Sequence, residues 1–187
     1  MISLRRRSLA GLVLSLTILL SPALGLPAGA MLHVGTVAPL FDTQATLGTS
    51  VFDFSLADAL KKGPVVLYFY PAAFTQGCTL EAHDFADHID DYRKLGATVI
   101  GVSGDGIEKL KKFSVSECRS KFPVASDADH KISTAYDALL SIGPVIYSNR
   151  TSYVIAKNGT IFFAYSSLDF SQHVADTLQE LRALEKR

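Results

Sequence analysis

Residues Val65 to Tyr70 form an unbroken apolar, β-branched and aromatic run, the pattern of a strand buried on both faces. Beyond it the period changes. From Cys78 onward Leu80, Phe85, Ile89 and Tyr92 recur at helical spacing, with Glu81, Asp84, Asp87 and Asp91 between them. Arg93 and Lys94 close the last turn before Gly96. The stretch Pro71-Ala72-Ala73-Phe74-Thr75-Gln76-Gly77-Cys78 joins the two patterns and places one thiol in or beside the first turn of the helix. Unpaired backbone N–H groups and the positive end of the helix dipole favour thiolate over thiol there, which makes the sulfur a better nucleophile.

The rest of the chain continues the alternation. Thr49 to Phe54 predicts a short strand, and Ser55 to Leu60 a helical segment stopped by Gly63-Pro64. Ala97 to Ser103 predicts a strand, Ile107 to Cys118 a helix, and Phe122 to Ala125 another short strand. After Asp127-Ala128-Asp129 a third helical segment carries Ile132, Ala135, Tyr136 and Leu139 on one face. Arg150 to Ala156 and Ile161 to Tyr165 flank Lys157-Asn158-Gly159-Thr160, an Asn-Gly hairpin signal. Val174, Leu178, Leu181 and Leu184 mark a closing helix. The order βαβαβα followed by ββα implies an α/β fold with a mixed central sheet and helices on both faces.

Composition narrows the function. The chain has 187 residues, 48% of them hydrophobic, enough for one domain with a sizeable core. Its 18 basic and 18 acidic side chains are mixed along the sequence, with no electrostatic footprint for nucleic acid or an anionic surface. The first thirty residues follow the plan of a signal peptide. Arg5, Arg6 and Arg7 form a basic start, Leu9 to Leu20 an apolar segment, and Ala28-Gly29-Ala30 a small-residue end. A spanning helix needs roughly twenty apolar residues, more than this segment supplies, although an uncleaved anchor stays open. The expectation is cleavage after Ala30, a single domain over residues 31–187 and no stable membrane association afterwards. An exported, extracytoplasmic location follows: a periplasm, or the thylakoid lumen in a photosynthetic source. Arg6-Arg7-Ser8-Leu9 also admits a twin-arginine route.

Several sequence islands together carry a family resemblance. They are Gly35-Thr36-Val37-Ala38-Pro39-Leu40-Phe41, the Pro71-x3-Thr75-x2-Cys78 spacing with Thr79-Leu80-Glu81-Ala82 after it, and Gly101-Val102-Ser103-Gly104-Asp105. Ser126-Asp127-Ala128-Asp129-His130-Lys131 and Arg150-Thr151-Ser152-Tyr153-Val154-Ile155 complete the set. In this order the chain resembles a peroxiredoxin of the bacterioferritin-comigratory or Q-type branch, a thioredoxin-like three-layer sandwich. The resemblance implies that Cys78 is the peroxidatic nucleophile, that Thr75 orients the peroxide, and that Arg150 stabilises thiolate and transition state. It implies that Pro71 shields the pocket from water. The substrate is then a hydroperoxide, the reductant a thioredoxin-like protein or small thiol, and the chain a monomer that uses no cofactor or metal. Glu81, one turn along from Cys78, is placed to hold an arginine by accepting its hydrogen bond.

The second cysteine decides how such an enzyme would be regenerated. The branch often carries a resolving cysteine five residues after the peroxidatic one, and this chain has His83 there. Cys118, forty residues after Cys78, corresponds to the branch's other resolving position, which implies an intramolecular Cys78–Cys118 disulfide; a buried or spare thiol is the alternative. His83 lies about 140° around the helix from Cys78, so it is expected to be a solvated or cap-facing histidine rather than a base. His83, Asp87 and His88 lack metal-ligand spacing, and His130 has the position of a helix-start residue. Gln76 replaces the proline usual in this branch, and Ala72-Ala73 replace polar residues, which suggests a more apolar mouth suited to larger organic hydroperoxides. Two other functions stay in view: a thiol-disulfide oxidoreductase, which would need a second cysteine at position 75, and a non-enzymatic domain with a permanent Cys78–Cys118 bridge.

Overall fold

A computed structural model describes residues 31–187. The expected leader and its cleavage point fall outside the described residues. Elements run in the order β1 (Asp42–Leu47), β2 (Ser50–Ser55), α1 (Leu56–Lys62), β3 (Val65–Phe69), α2 (Gln76–Lys94), β4 (Thr98–Ser103), α3 (Ile107–Ser116) and β5 (Val124–Ser126). They continue with α4 (Lys131–Ala135), β6 (Leu139–Ile142), β7 (Val145–Ser148), β8 (Thr151–Ile155), β9 (Ile161–Ser166) and α5 (His173–Glu185), the last preceded by a 3-10 turn at Phe170–Gln172.

Seven strands form one mixed sheet in the order β2-β1-β5-β4-β3-β8-β9. β3, β4 and β5 run parallel, while β8 pairs antiparallel with β3 on one side and β9 on the other. The central position of β3 explains its apolar run, since all five of its residues are buried. Alternation along β3 feeds two cores. Val66, Tyr68 and the following Tyr70 face a cluster that contains Phe85, Ile89, Phe113 and Leu178 from α2, α3 and α5. Val65, Leu67 and Phe69 face another with Leu56, Leu60, Ile132 and Tyr136, from α1 and the α4 region. The result is the three-layer sandwich expected from the element order, with both cysteines in the α2/α3/α5 core.

The structure adds a strand before the first expected one and corrects two local expectations. β1 lacks an apolar run; its Asp42-Thr43-Gln44-Ala45-Thr46-Leu47 earns strand conformation from pairing with β2 and β5 on either side. The third helix is short, ending at Ala135, because Asp137 takes φ 51° and turns the chain. Leu139 therefore belongs to β6 of the two-stranded β6–β7 hairpin and is partly exposed, not on a helix face. α3 stops at Ser116, short of Cys118. Arg119 and Ser120 adopt left-handed φ values of 52° and 53°, and the Ser120 N–H donates to Ser114 O at 2.8 Å, closing the helix end.

Candidate active site

β3 ends at Phe69, and the next residues carry the chain across the end of the sheet to α2. Pro71 is half-buried at that exit. The Ala73 N–H donates to Asp105 Oδ2 at 2.6 Å, and the Ser103 hydroxyl donates to the same oxygen at 2.9 Å, so the loop after β4 fastens the loop before α2. Phe74 takes φ 69°, a conformation costly for a bulky side chain, and packs edge-on against Phe113 with ring centroids 5.3 Å apart. These ties set Thr75 at the N-cap position of α2 and Cys78 in its first turn, where no acidic residue opposes the helix dipole.

Arg150, immediately before β8, reaches the same point from the other side. Its guanidinium divides three bonds: Nε to Leu168 O at 3.0 Å, Nη1 to Glu81 Oε2, and Nη2 to Cys78 Sγ at 3.4 Å. A β-carbon at Gly77 would stand 3.1 Å from Arg150 Nη2, so the absence of a side chain there leaves the guanidinium its place over the sulfur. Cys78, Glu81 and Arg150 are all buried, at 1%, 0% and 4% exposure. A planar cation pinned on two edges and aimed at a sulfur in a dry site is suited to stabilise an anion on that sulfur.

Glu81 behaves as its burial dictates. Removal from water pushes its carboxyl up to about 8, against the pull of the Arg150 charge and hydrogen bond. Its second oxygen, Oε1, has no hydrogen-bond partner and lies 3.9 Å from His173 Nδ1. His173, fully buried at the start of α5, has Nε2 3.0 Å from Ser167 O and Nδ1 2.8 Å from the Ser152 hydroxyl. Because a carbonyl only accepts, Nε2 carries the proton and Nδ1 accepts from Ser152. Burial holds this imidazole down at about 4. Sequence reasoning missed His173, Ser152 and Asp105. The last two sit inside named islands, whereas His173 carries no local signal before the fold brings α5 against α2.

The remaining site residues are more mixed. The Thr75 hydroxyl donates to Ala72 O at 3.0 Å and is exposed; it makes neither a capping bond nor a bond to Cys78, because the local turn offers a nearer acceptor. Ala73 is buried, so of the two alanines only half-buried Ala72 can border an opening, and the exposed apolar group of this turn is Phe74. Cys118 is fully buried, and burial pushes its thiol well up, assisted by the neighbouring Glu117 charge. Both cysteines are free. Tyr68 and Tyr70 add two buried hydroxyls without partners to the same core, which suppresses ionisation of either phenol. His83 is partly exposed, and its Nε2 lies 2.9 Å from Glu117 Oε2. His130 stands at the N-cap position of α4 with φ 55° and no capping bond from its side chain. Among the described residues no group of three His, Cys, Asp or Glu side chains is placed to hold a metal, and no helix is long and apolar enough to cross a membrane.

Comparison with known proteins agrees with this geometry. Residues 34–164 match the AhpC/TSA family. Peroxiredoxin Bcp of Bacillus subtilis is 32% identical over 160 residues, covering 83% of this chain and 99% of that protein. The crystal structure of peroxidoxin BcpB from Mycobacterium tuberculosis superposes with a TM-score of 0.73 at 30% identity, covering 81% of this chain and 97% of that one. A peroxiredoxin Q variant from Xylella fastidiosa gives a TM-score of 0.74 at 25% identity, over 83% and 99% of the two chains. Match, fold and the thiol–guanidinium site converge: the chain belongs to the AhpC/TSA family as a peroxiredoxin of the Bcp or Q type, a thiol-dependent peroxidase.

Proposed function

We propose that Cys78 is the peroxidatic cysteine, that Cys118 resolves its oxidised form within the same chain, and that a thioredoxin-like protein or a small thiol restores both. The observation that carries the reading is Arg150 Nη2 at 3.4 Å from Cys78 Sγ, with the rest of the guanidinium held by Glu81 and Leu168.

The Cys78 thiolate attacks the terminal oxygen of the hydroperoxide in line with the O–O bond. Sulfur loses two electrons and the O–O bond breaks, leaving Cys78 sulfenic acid and an alkoxide or hydroxide that takes up one proton as alcohol or water. Arg150 holds the thiolate beforehand and faces the charge that develops on the departing oxygen. Glu81 acts through Arg150 as a positioning residue. Thr75 orients the peroxide by exchanging its bond to Ala72 O for one to substrate, a cheap exchange at an exposed hydroxyl. Pro71, at the loop's exit from β3, limits water at the sulfur. The Cys118 thiol then attacks the sulfenic sulfur, forming the disulfide and releasing water.

With both thiols buried in the reduced fold, and a disulfide requiring Cα atoms within about 7 Å, the first turn of α2 carrying Cys78 and the segment after α3 carrying Cys118 must loosen once per cycle. Phe74, exposed in the turn that leads into α2, supports use of organic hydroperoxides alongside hydrogen peroxide. The basic and apolar start of the chain supports an enzyme exported to act outside the cytoplasm.

The test is steady-state peroxide reduction with thioredoxin and small-thiol donors, on wild type, Cys78→Ser and Cys118→Ser. One equivalent of hydrogen peroxide should convert the reduced protein to a monomeric disulfide, and Cys118→Ser should stop at the sulfenic acid. A persistent sulfenic acid in the wild type would overturn the role of Cys118. Full activity in Cys78→Ser would overturn the site.

A further inference from the structure

His83 stands at the position where this branch often carries a short-range resolving cysteine, and its ring is engaged with the residue next to the other cysteine. His83 Nε2 lies 2.9 Å from Glu117 Oε2, with the side chains 33% and 20% exposed. The contact is one of several between α2 and the segment 117–121. Lys121 Nζ donates to Ala86 O at 3.1 Å, Arg93 Nη2 donates to Lys121 O at 2.9 Å, and Arg119 pairs with Asp87. The segment so held is strained. Arg119 and Ser120 both occupy the left-handed region, which L residues seldom adopt unless the surroundings impose it. A segment that combines backbone strain with side-chain ties to a neighbouring helix has two natural arrangements, tied and released.

We propose that His83 and Glu117 form a latch that keeps the Cys118 segment against α2, and that opening this latch sets the rate at which Cys118 reaches the Cys78 sulfenic acid. The inference rests on Cys118 being the resolving thiol. In the tied state the Cys118 side chain lies wholly inside the α2/α3 core, out of reach of any partner. Releasing residues 117–121 exposes the thiol to water and so removes burial, the larger of the influences that keep it protonated. The reaction served is Cys78–SOH plus Cys118–SH giving the disulfide and water, so no further oxidant is needed. Of the side-chain pairs along the segment, His83–Glu117 is the better shielded; Arg119 and Asp87 are 43% and 57% exposed and contribute little.

The experiment is a single turnover. Reduced enzyme is mixed with one equivalent of hydrogen peroxide, quenched at intervals with a sulfenic-acid trap and an alkylating reagent, and weighed by mass spectrometry. His83→Ala and Glu117→Ala should each raise the rate of disulfide formation about two- to fivefold, the size expected for a pair of this exposure, with the rate of sulfenic acid formation unchanged. The double variant should gain no more than either single one, because both open the same contact. Arg119→Ala is the control and should shift the rate by less. Unchanged or slower disulfide formation in His83→Ala would overturn the latch. So would an increase confined to Glu117→Ala, which would mean that its charge acts on Cys118 directly. Absence of any disulfide in the wild type is a different failure, that of Cys118 as the resolving thiol, and it removes the latch with it.

Discussion

The buried pair Glu81–Arg150 should respond asymmetrically to loss of either partner, and in opposite order for stability and for activity. Both side chains are almost wholly out of water, at 0% and 5% exposure. Glu81→Leu leaves a guanidinium that cannot shed its charge at any accessible pH, a situation that costs about 3–5 kcal/mol in buried pairs. Arg150→Leu leaves a buried carboxyl without the guanidinium that pulls it down, so it stays protonated at neutral pH as an uncharged, poorly partnered group. That costs about 1–3 kcal/mol. Activity should rank the other way. Arg150→Leu removes the donor at 3.4 Å from the sulfur, and loss of one preorganised donor of this kind lowers turnover about 10²–10³-fold. Glu81→Leu keeps Arg150, still tied to Leu168 O, and should lose less. Urea unfolding at pH 7 followed by far-UV circular dichroism suits a chain with no tryptophan, alongside single-turnover oxidation by hydrogen peroxide. Equal stability losses, or a more stable Glu81→Leu than Arg150→Leu, would refute the reasoning.

Two further outcomes follow from the same structure. His173, held at about 4 against an ordinary 6.5, is neutral when folded and charged when unfolded across the window between, so its contribution is present above 6.5 and lost as pH falls towards 4. The stability deficit of His173→Gln relative to wild type should therefore shrink by about 2 kcal/mol from pH 7 to pH 5; the comparison is made between proteins at each pH because raised Glu81 acts in the opposite direction over an overlapping range. Gly101 on β4 faces Tyr68, and a β-carbon there would stand 2.6 Å from the ring. Gly101→Ala should lose about 1–3 kcal/mol in urea unfolding, with Gly101→Ala/Tyr68→Leu less damaged than the two singles combined; additive losses would place the strain elsewhere.

Much of the sandwich was legible from the sequence because its centre is periodic. The β3 run, the α2 pattern and the β8–β9 hairpin each announce themselves over several residues, and they are the elements that converge on Cys78. β1 and the β6–β7 hairpin were not legible, since one is a polar strand paired on both sides and the other an exposed two-stranded ribbon whose pattern resembles a helix continuing past Tyr136. At the site, Cys78, Glu81 and Arg150 meet as their spacing and the family resemblance suggested. His173 and the His83–Glu117 contact depend on which face of α2 receives α5 and the end of α3, information that no local window contains. Helical angle alone turns His83 away from Cys78, but it cannot say that Glu117 is what the ring meets.

The placement of both thiols inside one apolar core has a consequence for the electron donor. In the reduced enzyme both cysteine sulfurs are buried, so in the proposed cycle a donor finds a substrate only after oxidation and rearrangement have brought the disulfide outward. In that cycle the docking feature would disappear once the bridge is reduced and the segments return to the core. Redox state would thereby be written into the outline of the molecule, and the donor could leave without competing against its own product.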